Sequence, residues 1–334
     1  MPLGDIDVVA RLTTKQICRI LLMAFTLIAA APCGVCQTAN DWITGMPRHD
    51  IHLKSWPGGR KVAVCFVLYV EVWGHDEGPN FRADMAGRKP DIVDEAFRRY
   101  GIDWGLPRIA RLFHELKVPL SLALNAQFLE QQPSVWKTLR DFVPQAPIIA
   151  HGLNNSTELL PLAKGPEAQR AYIRRTIDII QRRTGVRSFG WSSPSVYPNP
   201  DTYAATAAEG VRYSLDGMDS DVISRLDTPP GPLWLIPYPP TVVDMGQYLS
   251  RFKEATDLER LWLDYVGELI REATASPDGD ATIVAIGIHP FVVGTPAGAA
   301  AMRRVLDALQ KERLVWLTDV KAALQAARAA HGGS

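Results

Sequence analysis

The run KVAVCFVLYVE, residues 61 to 71, restricts the fold of this chain more than any other stretch. It is apolar from Val62 to Val70 with no polar interruption. A strand with one wet face would alternate apolar and polar residues, so this strand is buried on both faces. Such strands belong to parallel sheets whose outer face is covered by helices.

The rest of the chain repeats that pattern. WGLPRIARLFHELK (104–117) has the spacing of an amphipathic helix, and VPLSLALNA (118–126) reads as a strand. PSVWKTLRDFV is a helix and APIIAHG (146–152) a strand. Residues 166–183 form a strong helix. Pro166 suits its first position, Ile173, Ile177 and Ile180 share a face, and Gly185 follows its end. Then come the strand VRSFGW (186–191), the helix DTYAATAAEG, and the strands VRYSLD (211–216) and PLWLIPY. A helix over 256–274, the strand ATIVAIGIH (281–289), a helix over 297–312, the strand LVWLT and an Ala-rich helix complete the chain. Residues 74–103 read as a long loop. This alternation predicts an α/β fold, a distorted (β/α) barrel with about seven parallel strands. An open doubly wound sheet is the alternative. No GxGxxG follows the first strand, which argues against a dinucleotide site.

Arg11, Lys15 and Arg19 precede ILLMAFTLIAAA (20–31), and small residues follow. We read residues 1–36 as a signal peptide, which implies a secreted or periplasmic protein. Residues 37–60 read as an irregular lead-in, and 61–330 as one catalytic domain. Lys plus Arg number 36 and so do Asp plus Glu, and no basic stripe appears, which argues against a nucleic-acid partner. No stable membrane partner beyond export is expected. Of the four cysteines, Cys18, Cys33 and Cys36 lie in the signal region and Cys65 in the first strand, so no CxxC metal spacing remains outside it.

In parallel β/α folds the active site gathers at the carboxyl ends of the strands. Those ends hold Glu71, Asn125, His151, Trp191 with Ser193, Asp216, Asp244 beyond Tyr238, and His289. Each has an ordinary structural reading: an ion pair for Glu71, a loop role for His151, caps for His289 and Asp216, core for Trp191. Their succession at strand end after strand end points instead to one polar cluster. The pair Asp76-Glu77 looks like a metal motif, but the apolar run stops earlier, at Glu71. Glu71 is therefore the expected site carboxylate, with His75 and Asp76 as contributors from the loop.

The pieces WPGGRKVAVCFVLYVE, YGIDWGLPRI, VPLSLALNAQ, AHGLNNSTEL, RSFGWSSPS, LIPYPPTVVDM and AIGIHPFVVGTPAG span residues 56 to 300. Together they resemble the polysaccharide deacetylase (NodB-like) superfamily, most closely its allantoinase-like and cyclic-imidase-like branch. The resemblance implies a distorted barrel and hydrolysis of a non-peptide carbon–nitrogen bond. Metal-dependent members end their first strand in T-F-D-D and bind metal through H-x-x-x-H. Here the strand ends L-Y-V-E, and the second histidine is Asn155 in His151-Gly152-Leu153-Asn154-Asn155. An amide is a poor zinc ligand. No cofactor is therefore expected, the alternative being a divalent metal such as zinc on Glu71 and His151. The resemblance also makes Arg187 a candidate for orienting the base.

On this reading Glu71 activates water and His289 acts as general acid. His151, with Asn154 or Asn155, holds the carbonyl oxygen. Asp216 fixes a histidine tautomer, Trp191 forms a wall for a planar ring, and Asn125, Ser193 and Asp244 line the pocket. Without a metal the expected substrate is a strained or activated amide, such as a cyclic imide or ureide. The alternatives are a metal-dependent polysaccharide or peptidoglycan N-deacetylase acting on a glycan, and a non-catalytic barrel that binds a carbohydrate or small ligand. A homo-oligomer is compatible with the resemblance, but no stretch marks an interface.

Overall fold

A computed structural model describes residues 40–81, 87–156, 165–275 and 279–332; the expected signal peptide lies outside them. Among the described residues the strands run β1 (Arg48–Asp50), β2 (Val62–Val70), β3 (Ser121–Leu124), β4 (Ile148–Ala150), β5 (Gly190–Trp191), β6 (Tyr213–Gly217), β7 (Ser224–Thr228), β8 (Gly231–Pro237), β9 (Thr282–Ile288) and β10 (Val315–Thr318). The helices are α1 (Ile92–Tyr100), α2 (Leu106–Leu116), α3 (Phe128–Gln131), α4 (Pro133–Phe142), α5 (Pro166–Thr184), α6 (Pro200–Ala208), α7 (Ala255–Thr274), α8 (Pro296–Lys311) and α9 (Val320–Ala330).

β2 is the hub of the sheet. β9 pairs in parallel with Val62–Leu68, while β10 pairs with Val62–Cys65 and β3 with Val67–Val70. The registers overlap, so β9 takes one edge of β2, and β10 and β3 share the other. From β3 the parallel ladder continues through β4, β5 and β6 to β8. β8 and β9 approach each other, but no ladder joins them among the described residues. The result is the distorted (β/α) type expected, with eight strands joined by parallel ladders, β2 to β6 and β8 to β10, one more than the seven read from the sequence.

The burial of β2 explains its composition. Ala63, Cys65, Val67 and Tyr69 face the interior with Leu215, Ile236 and Ala285. Val62, Val64, Phe66, Leu68 and Val70 face the helices, beside Phe113, Trp262 and Met302. Phe66 meets Phe113 and Trp262 edge-on at 5.7 and 6.4 Å. Fully burying one such ring is worth about 2–3 kcal/mol, and every residue of β2 is buried.

Three expectations need correction. The long loop over 74–103 contains α1, which Asp91 caps by accepting from Asp94 N. Val93, Ala96, Phe97 and Tyr100 stand at helical spacing in the sequence, yet Ile92 and Val93 are exposed and the buried residues of α1 are Asp94 and Arg98. The lead-in is not wholly irregular: β1 pairs antiparallel with β7. VRSFGW contributes only Gly190–Trp191 to the sheet. No helix among the described residues is long and apolar enough to cross a membrane.

Candidate active site

Glu71 follows β2 directly and is buried. Its Oε1 accepts from Asn155 Nδ2 at 2.6 Å and lies 3.1 Å from His151 Nε2. Its Oε2 is buried with no hydrogen-bond partner, and faces His289 Nε2 at 3.7 Å. One oxygen is thus held and the other is open toward a gap too wide for a direct hydrogen bond. An unpaired buried carboxylate oxygen is costly, and it is the natural acceptor for a water or substrate proton.

His151 is oriented from behind. Its Nδ1 lies 2.8 Å from the carbonyl oxygen of Ser192, which can only accept, so Nδ1 carries a proton. Nε2 is thereby the atom turned to Glu71. Asn125 fixes the backbone on both sides: Oδ1 accepts from Val72 N at 3.0 Å, and Nδ2 donates to the His151 carbonyl. Both polar atoms of the Asn125 side chain are thus taken up in stitching β2 to β4.

His289 follows β9 and is paired with Asp244. Asp244 Oδ1 lies 2.6 Å from His289 Nδ1, and Oδ2 accepts from His289 N at 2.7 Å. Burial alone would push the imidazole toward neutrality, but the charges of Asp244 and then Glu71 hold its pKa above the ordinary histidine value. Burial raises the Asp244 carboxyl, and His289 opposes that rise. Asp244 does not line a pocket as expected: it is fully buried and fixes the tautomer of His289, the role assigned in the sequence to Asp216.

Tyr69 joins the two histidines. It stacks on His289 with centroids 4.7 Å apart and an interplanar angle of 8°, and meets His151 edge-on at 4.8 Å. Its hydroxyl bonds Ser192 Oγ at 3.1 Å. Tyr69 and Tyr238, with centroids 6.0 Å apart, floor the site. A Cβ on Gly287 would collide with the Tyr238 hydroxyl, so a larger residue at that strand position would displace the Tyr238 ring. Neither tyrosine was picked out in the sequence. The signal was there, because Tyr69 is two residues before Glu71 and shares its face.

Other expected residues lie apart from Glu71. Asp216 accepts from Ser193 N at 3.0 Å, Ser193 Oγ at 2.8 Å and Ser214 Oγ at 2.8 Å, and hydrogen-bonds no histidine. Ser193 is the anchor of that turn, and Trp191 is wholly buried core that donates Nε1–H to Ser193 Oγ at 3.1 Å. Trp191 is therefore not a wall for a ligand. Asn154 donates to Gln127 Oε1 at 2.9 Å. Arg187 bonds the Glu209 carbonyl at 2.9 Å near the end of α6, and is not among the partners of Glu71. His75 and Asp76, on the loop, cluster with Glu95 of α1, and Asp76 Oδ1 accepts from Asp91 N at 2.8 Å. They brace α1.

The family resemblance raises a metal, and the donor set tests whether one fits. Structural and catalytic zinc takes at least three protein ligands. Glu71 and His151 supply two. The third position is Asn155, whose Oδ1 accepts from Ser195 N at 2.7 Å. That bond to a backbone N–H settles the amide orientation and turns its NH₂ toward Glu71. A cation on Glu71 and His151 would face amide hydrogens. The residues do not fit a metal here.

No family model matches the chain. A protein of Schizosaccharomyces pombe named "Putative polysaccharide deacetylase" is 24% identical over 327 residues, covering 86% of this chain and 97% of that one. The crystal structure of Puue allantoinase matches with a TM-score of 0.73 at 25% identity, covering 88% of this chain and 98% of that one. That of a probable polysaccharide deacetylase from Pseudomonas aeruginosa PAO1 has a TM-score of 0.72 at 23% identity, covering 84% and 95%.

Proposed function

We propose that this member of the polysaccharide deacetylase superfamily hydrolyses a cyclic amide, a cyclic imide or ureide, without a metal ion. The coarser class is a hydrolase of non-peptide carbon–nitrogen bonds. The finer reading rests on Asn155, which donates 2.6 Å from its Nδ2 to Glu71 Oε1 at the position where a metal enzyme needs a third ligand.

The chemistry follows from the two oxygens of Glu71. Oε1 is held by Asn155 and faces His151 Nε2, and Oε2 takes a proton from water as that water attacks the carbonyl carbon. The carbon–nitrogen bond then breaks, and His289 Nε2 gives its proton to the leaving nitrogen. The product is a ring-opened acid. Proton return from Glu71 to His289 resets the pair, whose facing atoms are 3.7 Å apart. A cyclic imide suits such a site because its second carbonyl already stabilises the departing nitrogen, so less charge must be neutralised.

A metal-dependent glycan N-deacetylase is the second reading. Its support is that His151 Nε2 and Glu71 Oε1, 3.1 Å apart, are both metal-ligand atom types, and Asn155 in the third position counts against it. The purified chain should be offered a cyclic imide, a ureide and an N-acetylglucosamine oligomer. Cleavage of a ring substrate, lost in Glu71→Gln, supports the first reading. Cleavage of the oligomer alone supports the second. Export over residues 1–36 is part of the same proposal, and N-terminal sequencing of the mature protein tests it.

A further inference from the structure

The stretch YGIDWG, residues 100–105, carries part of the family resemblance, yet the reaction above gives it no role. In the structure Gly101–Gly105 is a single π-helical turn between α1 and α2. π turns are rare and concentrate at functional sites. The two glycines are four residues apart and so lie on one face. That face touches the segment that follows His289.

The contact is backbone to backbone. A Cβ on Gly105 would collide with the carbonyl oxygen of Pro290, and one on Gly101 would fall 2.8 Å from Phe291 N. No side-chain rotation relieves either clash. Gly294 closes the same contact, because its own Cβ would collide with Gly105 Cα. Arg108, three residues beyond the π turn, donates to the Gly294 carbonyl. The segment seated on the two glycines is tied back to the histidine itself: Val292 N and Val293 N both donate to the His289 carbonyl at 3.0 Å. The buried Phe291 ring lies 5.6 Å from the His289 ring and 5.3 Å from Phe97 of α1.

We propose that the Gly101–Gly105 turn is a positioning element for His289: by seating Pro290 and Phe291 on bare helix backbone, it sets the imidazole on Asp244 and aims Nε2 across the mouth at Glu71. The inference rests on His289 being the acid of the proposed reaction, but its placement is measurable without turnover. A packing role alone would change stability and leave the imidazole environment of the folded protein as it was.

The test compares Gly105→Ala and Gly101→Ala with a control, Gly267→Ala, in the full chain. Gly267 is exposed on α7 and a Cβ there meets nothing within 4 Å. His289 is titrated by NMR in each folded protein, and kcat and KM are measured on a cyclic imide. Gly105→Ala should lower the His289 midpoint toward the ordinary histidine value, because the hold of Asp244 loosens. Its kcat should fall by roughly 10- to 100-fold, as misplacement by about 1 Å does, with KM little changed. Gly101→Ala should move both in the same direction by less, and the control should move neither. A folded Gly105→Ala with unchanged midpoint and kcat overturns the inference. So does collapse of both variants, which would make the contact a support of the whole barrel. If the wild type cleaves no ring substrate while the midpoint still moves, the positioning stands and the proposed reaction falls.

Discussion

Asp244 grips His289 at two points, through Nδ1 at 2.6 Å and through the backbone N–H at 2.7 Å. The pairing does two things at once. It fixes the tautomer, leaving Nε2 to face Glu71, and it holds the imidazole pKa above the ordinary value. A general acid works only while protonated, so activity should fall as pH rises through that raised pKa. Asp244→Asn removes the charge and should move the alkaline limb of the kcat profile to lower pH, with kcat down by about 10²- to 10⁴-fold. The same group bears on folding. A raised pKa means that stability from protonated His289 is complete below the unfolded value and is lost as pH rises through the folded one. Thermal melts of the wild type across that range should show this loss, and melts of Asp244→Asn should not.

Asn155→His should create the ligand that the chain lacks. The variant is expected to hold zinc with an affinity the wild type does not show, measured by metal content after dialysis. It also leaves Ser195 N without its acceptor, at a cost of about 1–3 kcal/mol in stability. An unchanged metal content would mean that more than this side chain keeps metal away.

Asp216→Ala should act on stability more than on chemistry. Three donors on Ser193 and Ser214 lose a buried acceptor, which is expected to cost about 3 kcal/mol or more. Chemical denaturation reads that loss. If kcat in the folded variant dropped as far as in Asp244→Asn, Asp216 would have a catalytic part that its contacts do not indicate.

Arg187→Ala should leave kcat within about twofold and cost under roughly 1 kcal/mol, since its partners are the Glu209 carbonyl and Gln181 on the outer surface. A large kcat loss would restore the role that the family resemblance suggested for it.

The barrel and three residues of the candidate site were legible because apolar runs end at polar residues that the fold brings together. β2, β4 and β9 stop at Glu71, His151 and His289, so their registers could be read directly. Asp244 was visible as a strand-end polar residue but not as the partner of His289, which lies 45 residues on and meets it only when β8 and β9 come side by side. α1 had a readable spacing in Val93, Ala96, Phe97 and Tyr100, but it is short and set among turn residues, and its fully buried side chains are the polar Asp94 and Arg98, with Phe97 half-buried against the core. Asp216 and Trp191 were placed at strand ends correctly, but strand-end position does not say whether a side chain faces the mouth or the turn behind it. Tyr69 was hidden by success: it looked like one more apolar strand residue.

The most direct test of the central claim is activity against metal content. The purified protein should be treated with a strong chelator, assayed for bound metal by elemental analysis, and then offered a cyclic imide. The geometry of Asn155 predicts full hydrolysis from protein carrying far less than one metal per chain. Loss of activity on chelation, restored by stoichiometric zinc, would contradict it and show that Glu71 and His151 work as metal ligands.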